Sequence, residues 1–307
     1  MTRASMGRLS LLALIWGSSF LLIKIAVEEL TPTQVVLGRL VAASAVLLVI
    51  VALSDIRLPR QRAVWGHLAV MSVVANIIPF FLFAWGEQRV TSGMAGILNG
   101  STPLFTLAVA LAALPEERWS PQRTLGLVLG FVGVVVVVGP WNTDGRVNAV
   151  SGQLACLAAA ACYGVAFVYT RRFLAHRGLA PLSLSAAQLS VGAAVMILAA
   201  PFVAWSPVST DPLVLGSVVV LGAVGTGLAY LLYFRLITDV GATSASMVTY
   251  LIPIVAVFLG VLVQNDPLTW NIFVGAAVVF LGAAIAEGRL RVRPSVEAPV
   301  APTRQEV

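Results

Sequence analysis

The sequence predicts an all-α membrane protein in which ten transmembrane helices form two inverted five-helix repeats. Three observations carry this prediction: sparse charge, long charge-free stretches, and an internal repeat whose loop charges reverse. Of the 307 residues, 59% are hydrophobic and 10% are charged, whereas a soluble domain carries about 25% charged residues. This composition excludes an ordinary globular protein and indicates that the chain lies in a lipid bilayer.

The distance between charges gives the number of spans, because a membrane-spanning helix needs ~20 mostly apolar residues. Two apolar segments, 9–27 and 33–53, each contain one basic residue, Lys24 and Arg39. The first has no A-x-A-like cleavage site, so we expect a retained helix and not a signal peptide. Eight further stretches are free of charge: 63–86, 90–115, 124–143, 147–170, 178–210, 212–234, 240–265 and 267–286.

The basic residues predict that both termini are cytoplasmic. With ten alternating spans, fifteen Lys and Arg residues fall in the termini and loops of one side, and only Arg89 and Arg146 fall in loops of the other. The positive-inside rule places the richer side in the cytoplasm. This asymmetry also explains the sequence pI of about 10.0, so we expect no nucleic-acid partner.

An internal repeat divides the chain into a cytoplasmic N-terminus (1–8), a first repeat (9–140), a second repeat (147–287) and a disordered cytoplasmic tail (288–307). A shift of about 150 residues places Phe83 on Tyr233 and Pro103 on Pro253. Because each half has five helices, equivalent helices cross the membrane in opposite directions. Inverted repeats are typical of secondary transporters, whose substrate sites lie near the midplane between the repeats.

The loop charges agree with the inversion. Glu28 and Glu29 follow helix 1, whereas Arg171, Arg172 and Arg177 follow its counterpart, helix 6. The bias therefore reverses between halves whose apolar patterns match, as the positive-inside rule requires for inverted copies.

The run Leu14–Phe20, Arg39 early in helix 2 and the run Gly86–Leu104 resemble the EamA-like family of the drug/metabolite transporter superfamily. The pair Glu116-Glu117, followed by Gly126 and Gly133, fits the end of the family's first repeat. The resemblance covers residues 9–287 in two copies. It implies ten helices, cytoplasmic termini, and export or exchange of amino acids or related metabolites in a bacterial inner membrane.

The second copy departs from the family's pattern at two places. It has Asn265-Asp266 where the first has Glu116-Glu117, and Gln188 where the first has Arg39. Only the first repeat therefore carries the fuller pattern.

Polar and aromatic residues within the apolar spans are candidates for the substrate site, because small-molecule sites are mostly apolar clefts with a few polar groups. Trp and Tyr can equally mark the membrane interface, Lys24 can extend to the interface, and Arg39 can bind backbone carbonyls in a purely structural role. The candidates are Trp16, Ser19, Lys24, Arg39, Asn76, Phe80, Phe83, Asn99, Tyr163, Tyr230, Tyr233 and Tyr250.

Pro103 and Pro253 are candidates for gating, because they fall in the middle of helices 4 and 9 at equivalent positions of the two halves. Each removes a backbone hydrogen bond and is expected to kink its helix. Interrupted helices at corresponding positions are typical of transporter sites. The alternative is packing alone, which transmembrane prolines also serve.

Glu87 is the candidate for ion coupling. No Asp or Glu lies in the middle of a predicted span, and Glu87 at the outer end of helix 3 is the nearest carboxylate. Its alternative role is a solvated charge at a helix end. We therefore expect transport down the substrate gradient or by exchange, with any proton coupling dependent on Glu87.

Other classes of protein find little support. Cys156 and Cys162 have neither metal-ligand nor disulfide spacing, and His67 and His176 lie at a helix start and in a loop, with no H-E-x-x-H motif. We expect no catalytic residue, metal or cofactor, and no enzyme. A channel or non-transporting scaffold remains the alternative to a carrier of small molecules.

Two G-x-x-x-G pairs, Gly96/Gly100 and Gly126/Gly130, predict close helix packing within the bundle. A dimer face is the other use of such pairs. We expect a monomer.

Overall fold

The computed structural model describes residues 2–139, 149–202, 207–267 and 269–290. Within these ranges the chain is helical and contains no strand. Eight helices are long and apolar enough to cross a membrane, and two shorter apolar helices of 17 residues follow them. The helices are α1 Arg3–Ala26, α2 Pro32–Ala52, α3 Arg62–Glu87, α4 Ser92–Ala113, α5 Pro121–Val138, α6 Val150–Phe173, α7 Pro181–Ala199, α8 Pro212–Val240, α9 Val248–Gln264 and α10 Trp270–Ala286.

Local sequence explains where several helices begin. The helices α2, α5, α7 and α8 have proline in their first turn, where the missing N–H needs no partner. The side chain of Thr31 accepts from the backbone N–H of Gln34, and the Gln34 side chain accepts from that of Thr31. This reciprocal capping satisfies two N–H groups at the start of α2.

Two helices contain a π-helical turn at positions about 150 residues apart. In α3 the turn is Val73–Ile77, and in α8 it is Ala223–Leu228. Pro79 follows the π-helical turn of α3 and has no backbone N–H to donate to a carbonyl of that turn. This missing hydrogen bond favours a local change in the hydrogen-bonding pattern. In α8 the hydroxyl of Thr226 donates to the carbonyl of Leu221 at 3.2 Å, so a side chain satisfies a backbone acceptor inside the span.

The two prolines differ in their surroundings. Helix α4 is interrupted at Gly100 and Ser101, and Pro103 lies in the first turn of the segment that follows, a position that suits proline. Pro253 lies in the interior of α9, and the interruption before that helix lies at residues 246–247. A Cβ added at Gly100 would lie 3.2 Å from Pro253 Cγ, so the break in α4 lies against this proline.

Helices of the first half pack on helices of the second half in a reciprocal pattern. Helix α1, the first of its half, packs on α8 and α9 of the other half. Helix α6, the first of the second half, packs likewise on α3 and α4. Helix α2 packs on α7 and α8. Helices α5 and α10 approach so closely that a Cβ at Gly133 would lie 2.5 Å from the backbone nitrogen of Val279. Small residues permit such close approach.

Some sequence predictions fall outside the described residues. These are Arg146 and the loop around it, and residues 291–307 of the predicted disordered tail. At the other end of the chain, α1 begins at Arg3, with the side chain of Thr2 capping it, so most of the predicted N-terminal segment 1–8 is helical.

Candidate functional site

A cavity of about 340 Å³ lies between the two halves of the bundle. Its lining comes from α1 to α4 and from α6 to α9. The lining extends from the middle of α1 and α2, at Trp16 and Arg39, to Pro181 at the first turn of α7. Because Pro181 is exposed, the cavity reaches the surface near the loop between α6 and α7.

Arg39 projects from α2 into this cavity and is buried, with 9% of its surface exposed. Its Nε donates a hydrogen bond to the hydroxyl of Thr226, in the π-helical turn of α8, at 3.0 Å. Its guanidinium carbon lies 3.6 Å from the centroid of the Phe80 ring. A hydrogen bond to the second half and a cation–π contact within the first half therefore fix the orientation of the side chain.

Gln188 makes the corresponding contact from the other half. It lies on α7, and its Nε2 donates to Oδ1 of Asn76, in the π-helical turn of α3. Asn76 is fully buried, and its Nδ2 has no hydrogen-bond partner among the described residues. Each half thus contributes one side chain that binds the π-helical turn of the other half.

Aromatic side chains form much of the lining, and one of them, Phe80, lies against Arg39. The rings of Trp16 and Tyr233 lie 5.3 Å apart between centroids, and Tyr230 packs on Phe234 at 6.0 Å. The predicted site residues that line the cavity are Trp16, Arg39, Phe80, Asn99, Tyr163, Tyr230 and Tyr233.

Three further candidates lie behind this lining. Asn76 does not line the cavity itself and contacts the lining residue Gln188. The hydroxyl of Ser19 donates to the carbonyl of Ile15, and a Cβ at Gly225 in the cavity wall would lie 3.0 Å from it. Phe83 packs edge-on against Phe20 at 5.5 Å and is buried in the core.

Lys24 lies away from the cavity lining. Its Nζ donates to the backbone carbonyls of Glu87 and Val90, the second at 2.9 Å. The last carbonyls of a helix have no partner within it, so Lys24 caps the C-terminal end of α3. The carboxyl of Glu87 is fully buried and neither oxygen has a hydrogen-bond partner in the described chain. A solvated charge at the helix end is therefore excluded for Glu87.

Tyr250 also lies outside the cavity lining. Its ring packs edge-on against Phe280 at 5.8 Å, and the guanidinium of Arg289 lies 5.4 Å from its centroid. Pro103 and Pro253 do not line the cavity either. Pro253 is one residue from Ile252, which does, so a change of shape in α9 would reach the cavity wall.

Sequence reasoning missed several lining residues. Thr226 lies 150 residues after Asn76, and the same shift that revealed the repeat could have identified it. In the sequence, Gln188 stands out only as a departure from the pattern of the first repeat. Thr102, Ser185 and Thr249 also line the cavity, but an isolated Ser or Thr in an apolar span gives no signal that separates a cavity position from a packing position.

Beyond the cavity, an ion-pair cluster joins the two halves. Glu117, in the loop after α4, accepts from Arg171 of α6 at 2.6 Å and pairs with Arg123 of α5 at 2.8 Å. Arg171 also lies 3.5 Å from Glu116. The hydrogen bond from Arg171, with the further contribution of Arg123, lowers the pKa of the Glu117 carboxyl below its ordinary value, although partial burial opposes this shift.

Comparison with known proteins establishes the family. The sequence model of the EamA-like transporter family matches residues 8–139 and 150–287. The chain belongs to this family and is a membrane transporter, not an enzyme.

Relatives agree with this assignment over most of the chain, and a solved structure agrees with the fold. The uncharacterized transporter YoaV of Bacillus subtilis is 25% identical over 92% of this chain and 96% of its own length. The uncharacterized inner membrane transporter YedA of Escherichia coli K12 is 26% identical over 83% of this chain and 81% of its own. A crystal structure with 21% identity matches with a TM-score of 0.62 and covers 90% of this chain and 98% of that one, which supports the fold.

Proposed function

We propose that this transporter is a secondary carrier that exports or exchanges amino acids or related small metabolites by alternating access. The observation that carries the proposal is the cavity between the halves, bounded by the reciprocal contacts of Arg39 with Thr226 and of Gln188 with Asn76. A site shared by two repeats can be exposed to either side when one half rocks against the other.

Ten spans in two inverted repeats are part of this proposal. The family model matches two segments of similar length, and the π-helical turns recur about 150 residues apart. The packing of α1 on α9 and α8 has its counterpart in that of α6 on α4 and α3. These regularities are expected of a duplicated bundle, and the reversed loop charges support opposite orientations of its halves.

We place the protein in a bacterial inner membrane, in agreement with the name of the Escherichia coli relative. The distribution of basic residues leads us to propose that both termini are cytoplasmic. Under this topology all six ion pairs between described residues fall on the cytoplasmic side. The cavity then opens to the cytoplasm, and the half-buried Lys24 and the buried Glu87 lie in the closed outer half. The conformation is therefore inward-facing.

Counterflow in proteoliposomes tests the proposal. Vesicles with purified protein are loaded with an excess of one unlabelled amino acid or metabolite and diluted into its labelled form at low concentration. A carrier accumulates label transiently above equilibrium, because the excess unlabelled substrate inside the vesicles competes with the label for outward transport. A channel only equilibrates the label, and a scaffold moves none, so either result across the screen would contradict the proposal. Protein-free vesicles are the control.

A further inference from the structure

Arg39 is the only ionised side chain among the residues that the structure describes in the cavity lining. A charge inside a membrane is costly and normally has a partner. The two contacts of this guanidinium, the Thr226 hydroxyl and the Phe80 ring, are both uncharged. No Asp or Glu of the described chain lies within ion-pair distance of it. The guanidinium therefore forms no direct ion pair with a described carboxylate.

The corresponding contact in the second half is made without a charge. At the equivalent position of the second half, Gln188 makes the same kind of contact with the opposite π-helical turn through a neutral amide. A glutamine is thus sufficient to join a helix of one half to the π-helical turn of the other. Arg39 adds two Nη groups that make no hydrogen bond to a described residue, and these are available to a ligand in the cavity.

We propose that the cavity binds a small organic anion, in which a carboxylate pairs with the Nη groups of Arg39 and an aromatic or branched apolar body packs against Trp16 and Tyr233. The inference rests on the proposed carrier function and narrows its substrate class. Arginine suits this role because its planar guanidinium binds a carboxylate through two parallel hydrogen bonds. The described lining offers no carboxylate for a cationic substrate.

The dimensions of the cavity limit the body of the ligand. A volume of about 340 Å³ lies at the lower end of the ~300–1,000 Å³ that ligand pockets span. The aromatic side chains around Arg39 favour a flat or branched apolar group near the carboxylate. A compound of about one aromatic ring with a short acidic arm fits these limits.

A matched set of probes tests the charge preference on the wild-type protein, without any variant. The full-length protein in neutral detergent, with no anionic lipid, is titrated calorimetrically with 3-phenylpropanoate, its neutral amide 3-phenylpropanamide and the cation 3-phenylpropylammonium. The carboxylate should bind ~10-fold or more tightly than the amide, because it accepts two parallel hydrogen bonds from the guanidinium and carries the opposite charge, whereas the amide offers one acceptor oxygen and no charge. Equal or tighter binding of the amide or the cation would overturn the inference.

Variants locate the preference at Arg39. Arg39→Gln copies the residue of the second half and should abolish the preference for the carboxylate, whereas Arg39→Lys should retain part of it as a point charge. Arg89→Gln is the matched control, since Arg89 lies over the Trp85 ring outside the cavity, and should keep the full preference. A preference that survives in Arg39→Gln would contradict the assignment.

Counterflow with the same probes separates this inference from the carrier proposal. Exchange of 3-phenylpropanoate by the wild type that is lost in Arg39→Gln would support both the anion site and the carrier function. Equal exchange of the amide would leave the carrier intact and overturn the anion site. Binding of the carboxylate through Arg39 with no exchange of any probe would support the anion site and count against the carrier.

Discussion

Lys24 binds the backbone of Glu87 and not its side chain. The ammonium of Lys24 donates to the carbonyl oxygens of Glu87 and Val90, at the end of α3. The Glu87 carboxyl, on the same residue, is fully buried and has no hydrogen-bond partner in the described chain. A buried acid and a half-buried base thus share a helix end in this conformation without forming an ion pair.

The first prediction concerns ion coupling through Glu87. Glu87 is the one buried carboxylate among the described residues, so any coupling of transport to protons should depend on it. Substrate uptake into proteoliposomes is measured with and without an imposed pH gradient. We expect exchange to proceed without the gradient, and any stimulation by the gradient to disappear in Glu87→Gln. Asp266→Asn, at a carboxylate outside the spans that accepts from Ser92 at 3.3 Å, is the control.

Gradient-driven accumulation that survives in Glu87→Gln would show that the coupling residue lies elsewhere. Stimulation by the gradient that is kept in Asp266→Asn and lost in Glu87→Gln would agree with the prediction.

The second prediction concerns the orientation of the loops. In a protein lacking Cys156 and Cys162, single cysteines at Arg60 and Arg177 should react with an impermeant maleimide only from the cytoplasmic side. Cysteines at Glu28 and Thr210 should react only from outside. All four positions are exposed, so access and not burial decides the outcome. Labelling of Thr210→Cys from the cytoplasm would refute the inverted topology.

The helices were predictable from sequence because lipid enforces one rule: a spanning segment must be apolar and must satisfy its own backbone. Each predicted apolar segment contains a helix within the described residues, and the family assignment is confirmed. The π-helical turns were not predictable. They depend on how Pro79 and Thr226 redistribute a few backbone hydrogen bonds, and the overall hydropathy does not register such local changes.

The candidate site was predictable in its composition and less so in its geometry. Trp16, Arg39 and Tyr233 are polar or aromatic residues in apolar segments, and they line the cavity. Lys24 has the same signature in sequence but caps α3, because the neighbouring helix end offers free carbonyls. Only tertiary packing distinguishes these two uses of a basic residue in an apolar segment.

The third prediction concerns gating by the two prolines. Pro253 lies inside α9 and against Gly100, the break in α4, whereas Pro103 lies in a first turn where its ring is tolerated. Both substitutions to alanine should lower the counterflow rate, because straighter helices favour one access state. Pro253→Ala should have the larger effect. Normal rates in both variants, at equal amounts of inserted protein, would show that the prolines serve packing and not gating.

The fourth prediction concerns pH and the ion pairs of Glu117. Because the pKa of this carboxyl is lowered in the folded protein by Arg171 and then Arg123, its contribution to stability is complete above the unfolded-state pKa. The contribution is lost as pH falls through the folded-state pKa. Glu117→Gln should therefore reduce stability near neutral pH, by ~1 kcal/mol or less because Arg171 is half exposed.

The measurement is the thermal unfolding midpoint of Glu117→Gln and of wild type, near neutral pH and in acid. The difference between them should vanish in acid. Glu116→Gln is the control, since Glu116 is more exposed and lies 3.5 Å from Arg171, and should change the midpoint less. An effect of Glu117→Gln that is undiminished in acid would contradict the assignment of its stability to the ion pairs.

The fifth prediction concerns the close approach of α5 and α10. A Cβ at Gly133 would lie 2.5 Å from the backbone nitrogen of Val279 and 2.9 Å from the carbonyl oxygen of Gly275. Backbone atoms cannot move aside as a flexible side chain can, so Gly133→Ala must separate the two helices, at a cost of ~1–3 kcal/mol. The unfolding midpoint of the purified variant should fall accordingly.

Gly66→Ala is the matched control for this last prediction, because Gly66 also lies within a helix but a Cβ there meets no atom within 4 Å. It should leave the midpoint unchanged or raise it, since alanine favours a helix over glycine by about 0.5–1 kcal/mol. The two variants add the same methyl group to a helical glycine and differ only in what it meets. Equal midpoints would therefore show that contact between α5 and α10 at Gly133 contributes nothing to the stability of the bundle.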